Sequence, residues 1–257
     1  NGDGSESNPY ATIQTGIDNS IDGDAIYIVG YHEFQALAYN DTSSSGHIYL
    51  PEHNLDFIGD GLNSEINNIA DANEDEYSSV TRNLFASPNS GTYTYNFYKI
   101  KFTAKDWDNS ISSTYPIIMD NRNQTQSDCT VNFYNCVLNS YDGVRNQAEV
   151  NIYNCSAKLT RILCEPNGGT MENTAGNNDF STNFSTVNTC LWTASYDDKY
   201  NITSDGWQNT GTGENPDGTQ AHIGVYGGEY AWGNWTKNLY PWWNIDITSL
   251  VQDWIDA

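Results

Sequence analysis

Three segments of this chain set a charged residue just beyond an apolar run: Pro116-Ile117-Ile118-Met119-Asp120-Asn121-Arg122, Gly143-Val144-Arg145-Asn146-Gln147 and Arg161-Ile162-Leu163-Cys164-Glu165. Aligned on Ile117, Val144 and Ile162, with the apolar side chains turned inward, they send Asp120, Arg145 and Glu165 outward from neighbouring strands. The chain has 10 basic residues against 33 acidic ones, so an arginine between two carboxylates is a candidate site. The chemistry open to it is acid–base work by the carboxyls, with the guanidinium holding an anionic group or developing charge. Asp120 and Glu165, two strands apart, are expected about 9–10 Å from each other at parallel-sheet spacing. That is at or just beyond the ~6.5–9.5 Å of an inverting carboxylate pair and too wide for a retaining one. In an elimination, Arg145 or a nearby lysine becomes the base and the acids turn to holding a cation. Arg122, Trp107, Tyr141 and Arg161 are the candidates for holding substrate beside them. The plainer reading of the same charges is a surface ion pair worth ~0–1 kcal/mol.

The elements that must position these residues announce themselves by repetition. Val131-Asn132-Phe133-Tyr134-Asn135-Cys136-Val137-Leu138 returns 19 residues later as Val150-Asn151-Ile152-Tyr153-Asn154-Cys155-Ser156-Ala157. Tyr95 to Phe102 fits the same template 36 residues earlier, and Asn54 to Ile58 fits it loosely. A period near 20 is the mark of a solenoid, in which each unit buries its apolar face against the next. Apolar residues at positions 1, 3, 6 and 8 describe two period-2 strands separated by one turn residue. Asn135 and Asn154 hold that turn, where asparagine tolerates unusual backbone angles and its amide is expected to bond the next rung. The pattern predicts an all-β, right-handed parallel β-helix. It is expected to take residues 1–257 as one domain, with a cap over 1–24, coils over 25–233 and a C-terminal segment over 234–257 that closes the solenoid or leads into a further domain.

Composition narrows the function classes. A net charge of −23 leaves no basic footprint for nucleic acid. It fits a solvated acidic surface, divalent-cation binding or a salty exterior. No run reaches the 18 apolar residues of a membrane span. Cys136 and Cys155 share a ladder position, where parallel Cβ vectors suit a disulfide badly, so a buried thiol ladder is expected. The sequons at Asn40, Asn123, Asn183, Asn201 and Asn234 are compatible with an exported protein.

Along the chain, Asn8 is placed to cap a helix with Pro9 in its first turn and Ile13, Ile17 and Ile21 on one face. Ala25 to Val29 reads as the first strand, and His47 to Leu50 and Arg82 to Phe85 as further short ones. Residues 105–115 and 122–130 read as loops leaving the coils. The stretch from Asn167 to Asn188 reads as loop, with late strands at Thr189 to Trp192 and Tyr200 to Ile202. The tail carries Ile247, Leu250, Val251, Trp254 and Ile255 on one helical face.

The opening DGSESNPYATIQTGIDNSIDGDAIYIVG resembles that of pectate-lyase-like β-helix proteins, and GENPDGTQAHIGVYGGEYAWG resembles their closing turn. His222 stands where that turn commonly has Asp, and as a lone His it reads as structural. Together with the tail, the chain looks most like the archaeal disaggregatase family, whose members loosen cell aggregates held in a chondroitin-like matrix. The resemblance implies an extracellular hydrolase or lyase acting on an acidic surface polysaccharide, or a non-catalytic glycan-binding or cell-envelope module. The motif set of polygalacturonases is absent, as is a clear pectate lyase calcium motif. Ca2+ is nonetheless the expected cofactor if one is used, since a polyanionic substrate on an acidic chain needs a bridging cation with oxygen ligands. The partners expected are a polysaccharide and, by analogy with β-helix proteins of surface glycans, a homo-oligomer such as a trimer.

Overall fold

The computed structural model describes residues 2–34, 46–68, 82–88, 91–104, 116–120, 129–146, 149–164, 169–204 and 206–232. Within these, the side chains of 46–47, 82–83, 104, 116–120, 140–146 and 159–164 are not described. The fold is mostly β-strand in parallel sheets, with one short α-helix among the described residues. A first sheet holds seven strands in the order β1 (Asp24–Tyr27), β4 (Leu55–Ile58), β7 (Thr94–Tyr98), β10 (Thr130–Tyr134), β12 (Val150–Tyr153), β14 (Thr170–Glu172) and β16 (Thr186–Asn188). A second holds β2 (Gly30–Phe34), β5 (Ser64–Asn68), β8 (Lys101–Ala104) and β11 (Val137–Asn146), then β9 (Pro116–Asp120), β6 (Arg82–Ala86) and β3 (Gly46–Tyr49). Here β11 is the hinge between two arms. Its residues 137–139 pair with β8 and residues 142–145 with β9, while β13 (Ser156–Cys164) follows nearly its whole length.

The repeat sets the register. Val131 pairs with Val150 and Phe133 with Ile152, while Tyr95 and Phe97 pair with Val131 and Phe133 on the other side. Every inward position of the two best copies is fully buried: Val131, Phe133, Cys136, Leu138, Val150, Ile152, Cys155 and Ala157. Alternation sends these side chains to one face, and stacking in register piles like on like. Phe57, Phe97 and Phe133 form one such pile, with ring centroids 4.8 and 5.3 Å apart and nearly parallel planes. Each such contact contributes ~0.5–1.5 kcal/mol beyond burial.

The cysteine ladder is present as thiols. Cys155 Sγ donates to Tyr153 O at 3.3 Å and to Phe133 O at 3.5 Å, and accepts from Cys136 N at 3.3 Å. Thr174 Oγ1 repeats these bonds one rung on, accepting from Cys155 N at 3.3 Å. Burial raises the Cys155 thiol pKa well above its ordinary value, so it acts as a small donor and not as a nucleophile.

The turn residues also follow the template. Asn135, Asn154 and Asn173 have φ of 50, 51 and 48°, the left-handed region that asparagine tolerates. The amides of Asn135 and Asn173 correct one expectation, because they reach a separate segment instead of the next rung. Asn135 Nδ2 donates to Val225 O at 3.0 Å and Gly227 O at 2.6 Å, and Asn173 Nδ2 to Thr212 O at 2.7 Å. The turn ladder is therefore the seam on which the segment 211–232 is sewn.

Other expectations need revision. The helix is α1 (Ile13–Asp18), capped by Thr12, whose hydroxyl accepts from Thr15 N at 3.1 Å. Asn8 is instead locked in a turn, its carbonyl taking Asp3 N and Gly4 N, so it and Pro9 precede the helix. Ile13 and Ile17 are buried, but Ile21 is 70% exposed, because the helix ends at Asp18. The stretch Asn167–Asn188 holds strands, not only loop. Met171 and Glu172 pair with Ile152 and Tyr153, and Ala175 and Gly176 with Ser156 and Ala157 in β15 (Ala175–Gly176). Thr189 to Trp192 and Tyr200 to Ile202 contribute only isolated bridges, at Leu191 and Ile202. The loops 105–115 and 122–128 and the C-terminal segment 234–257 lie outside the described residues.

Candidate functional site

Of the seven residues singled out by sequence, Trp107, Arg122 and Glu165 lie outside the described residues. Asp120, Tyr141, Arg145 and Arg161 are placed by backbone alone. The register brings Asp120 opposite Arg145 on the adjacent strand. It also puts Asp142 between Ile117 and Arg161, a second acid–arginine neighbour that the sequence did not single out. The alignment of Ile117 with Val144 is off by two, since Ile117 pairs with Asp142 and Met119 with Val144. The β9–β11 ladder keeps this offset throughout, and on its other side β11 bulges against β13, where Gly143 and Val144 stand against Ile162 alone.

The outer face of the first sheet carries two parallel rows set by the same repeat. One is an amide ladder. Asn151 Nδ2 donates to Asn132 Oδ1 at 2.8 Å, Asn132 Nδ2 to Asn96 Oδ1 at 2.7 Å, and Asn96 Nδ2 to Asp56 Oδ1 at 2.7 Å. The other is a phenol stack, Tyr98–Tyr134–Tyr153, with centroids 4.8 and 5.1 Å apart and planes within 10°. Tyr230 sets its edge against both Tyr98 and Tyr134. Since the rings cover each other's faces, Tyr153 is the terminal ring; Glu172 stands opposite it in the next rung.

At that end the stack opens into a cleft of about 490 Å3. Tyr153, Asn154, Glu172 and Asn173 form the sheet side, and Thr212–Pro216 with Gly228 and Glu229 form the other. Asn215 holds the outer wall together, its Oδ1 accepting from His222 N and Gly228 N, both at 3.1 Å. Three carboxylates, Glu172, Glu214 and Glu229, border the cleft, and among the described residues no basic one lines it. An aromatic ring, amides and carboxylates around an open groove are the groups that hold sugar hydroxyls and rings.

Two other polar clusters are internally satisfied. Lys101 Nζ bonds Glu65 Oε2 at 3.0 Å and sits 5.5 Å from the Tyr200 ring, while Thr103 donates to Glu65 Oε1. Asn139 donates to Tyr200 at 2.9 Å, so this network ties the 197–203 loop to the second sheet. His222 accepts from Asn209 N at 3.0 Å and packs against Trp207, and burial lowers its pKa, in keeping with a structural role. Among the described residues no three His, Cys, Asp or Glu side chains gather as metal ligands. No helix of the described residues is long and apolar enough to cross a membrane.

Burial also pushes up the tyrosines, Tyr134 to about 12, with Tyr95, Tyr98 and Tyr196 well above 10. A phenol whose folded pKa exceeds its unfolded value of ~10 stabilises the fold below pH 10 and withdraws that support as pH rises. Melting temperature is thus expected to hold steady, as far as the phenols go, up to pH 9.5 and to fall above pH 10. A fraction of the phenolate absorbance at 295 nm should appear only together with unfolding; ionisation of all 18 tyrosines in the folded protein near pH 10 would contradict the burial.

The chain matches no family model, no curated protein and no solved structure.

Proposed function

We propose that the chain is a right-handed parallel β-helix, pectate-lyase-like and similar in kind to archaeal disaggregatase, that works at the cell surface on an acidic, chondroitin-like polysaccharide. The observation that carries this reading is the tyrosine stack running along a parallel sheet into an open cleft. Polymer substrates need an extended site, and a ladder of identical rungs supplies one without further invention. Chain cleavage is assigned to the second sheet, where Asp120 and Arg145 are neighbours in register. There the arginine would hold a uronate while the acid handles the proton. A calcium ion, if the protein uses one, belongs between substrate and acidic loops.

Incubation with a uronate-containing polysaccharide tests the reading. New absorbance near 235 nm marks a lyase, and new reducing ends without it mark a hydrolase. Retention of the polymer without cleavage leaves the second reading, a glycan-binding module, which the fully bonded second-sheet network and the separate cleft would also suit. Neither cleavage nor retention removes polysaccharide from the account.

A further inference from the structure

The cleft says more than its size does, because its charge is one-sided. Among the described residues its lining contains Glu172, Glu214 and Glu229 and no lysine, arginine or histidine. A uronate or sulfate entering it would face three carboxylates with no cation among the lining residues to offset them, and repulsion at short range would exclude it. The uncharged lining points the same way. The other polar lining residues, Asn154, Asn173, Thr212 and Asn215, are uncharged and offer an anion no counter-charge. Tyr153 adds a ring at the end of its stack, a surface suited to a sugar's C–H face or to an ammonium group. Glu172 is half-buried and therefore less screened than an open surface acid, whereas Glu214 and Glu229 are exposed at the rim.

On the polysaccharide reading above, we infer that the cleft is a subsite for a sugar ring bearing no anionic group, and that it prefers a ring bearing a protonated amine. In a polymer that alternates acidic and amine-derived units, the second kind would seat here and the uronates would fall to either side. The cleft would thereby fix the register of the polymer on the protein, placing every uronate away from Glu172.

Calorimetric titration of the full chain at pH 6 with tetramers of glucosamine, N-acetylglucosamine and galacturonate tests this. The expected order is glucosamine, then N-acetylglucosamine, with galacturonate at least tenfold weaker than the first. Combining Glu172→Gln, Glu214→Gln and Glu229→Gln should bring glucosamine and galacturonate within threefold of each other, with the melting temperature unchanged. If that variant keeps the preference, the net charge of the whole chain is responsible and the inference fails. It also fails if galacturonate binds the parent as tightly as glucosamine. Binding of a uronate polymer without binding of any tetramer overturns the subsite and leaves the polysaccharide reading standing; loss of both removes both.

Discussion

Phe133→Ala should lower stability by ~3–5 kcal/mol, the range for emptying an aromatic site in a packed core. Phe133 is fully buried, stacked on Phe97 at 5.3 Å and edge-on to Phe102 at 5.8 Å, with Ile152 in register on the next strand. Backbone hydrogen bonds fix the rungs on both sides, so the neighbours cannot collapse far into the void. Denaturant unfolding would show a lower midpoint with an unchanged slope. The neighbouring Thr130→Ala, on a half-buried position of the same strand, should change stability by under ~1 kcal/mol. Equal effects of the two substitutions would mean that the strand does not present Phe133 to a core.

Gly227→Ala should be the next most damaging change, at ~2–3 kcal/mol by overpacking. A Cβ there would meet His222 O at 1.9 Å and its carbonyl carbon at 2.4 Å, both backbone atoms that cannot swing aside. The same stretch receives Asn135 Nδ2 at Gly227 O, so the clash is transmitted to the seam between the turn ladder and the cleft wall. Gly206→Ala makes a fair contrast. It has nothing within 4 Å of a Cβ, though its φ of 90° still costs strain of ~1–2 kcal/mol. A Gly227→Ala protein that melts with the parent would place the 213–232 segment elsewhere.

The repeat made most of the fold legible. A 19-residue offset with alternating apolar positions fixes strand direction, register and inward face together, which is why the inward positions Val131, Phe133, Cys136, Leu138, Val150, Ile152, Cys155 and Ala157 are legible in the sequence. The fourth copy escaped notice because its inward positions beyond Met171 are Thr174 and Gly176, too small to register as apolar. Thr174 makes the cysteine's hydrogen bonds, a likeness of chemistry and not of hydropathy. At the candidate site less could be read. The tyrosine at position 4 is visible in three copies, as Tyr98, Tyr134 and Tyr153, but its stacking requires knowing that the copies pair in register. Glu214 and Glu229 reach Tyr153 only through the asparagine seam, a contact between residues 60 or more apart with no local signal. The arginine–acid pairing of Arg145 with Asp120 is legible as adjacency, whereas its two-residue offset from the Ile117–Val144 alignment and the bulge of β11 against β13 carry no local signal.

The central claim, that a polysaccharide binds along the tyrosine stack at the cleft, comes down to one side chain. Tyr153→Ala removes the terminal ring while leaving the inward Ile152 and Cys155 untouched, so the fold should persist. Titration of parent and variant with a chondroitin-type polymer at matched ionic strength is the direct measurement. The account predicts measurable binding by the parent and at least a tenfold loss in the variant, about 1.4 kcal/mol, at a melting temperature within a few degrees of the parent. Undiminished binding by a folded Tyr153→Ala protein would contradict it.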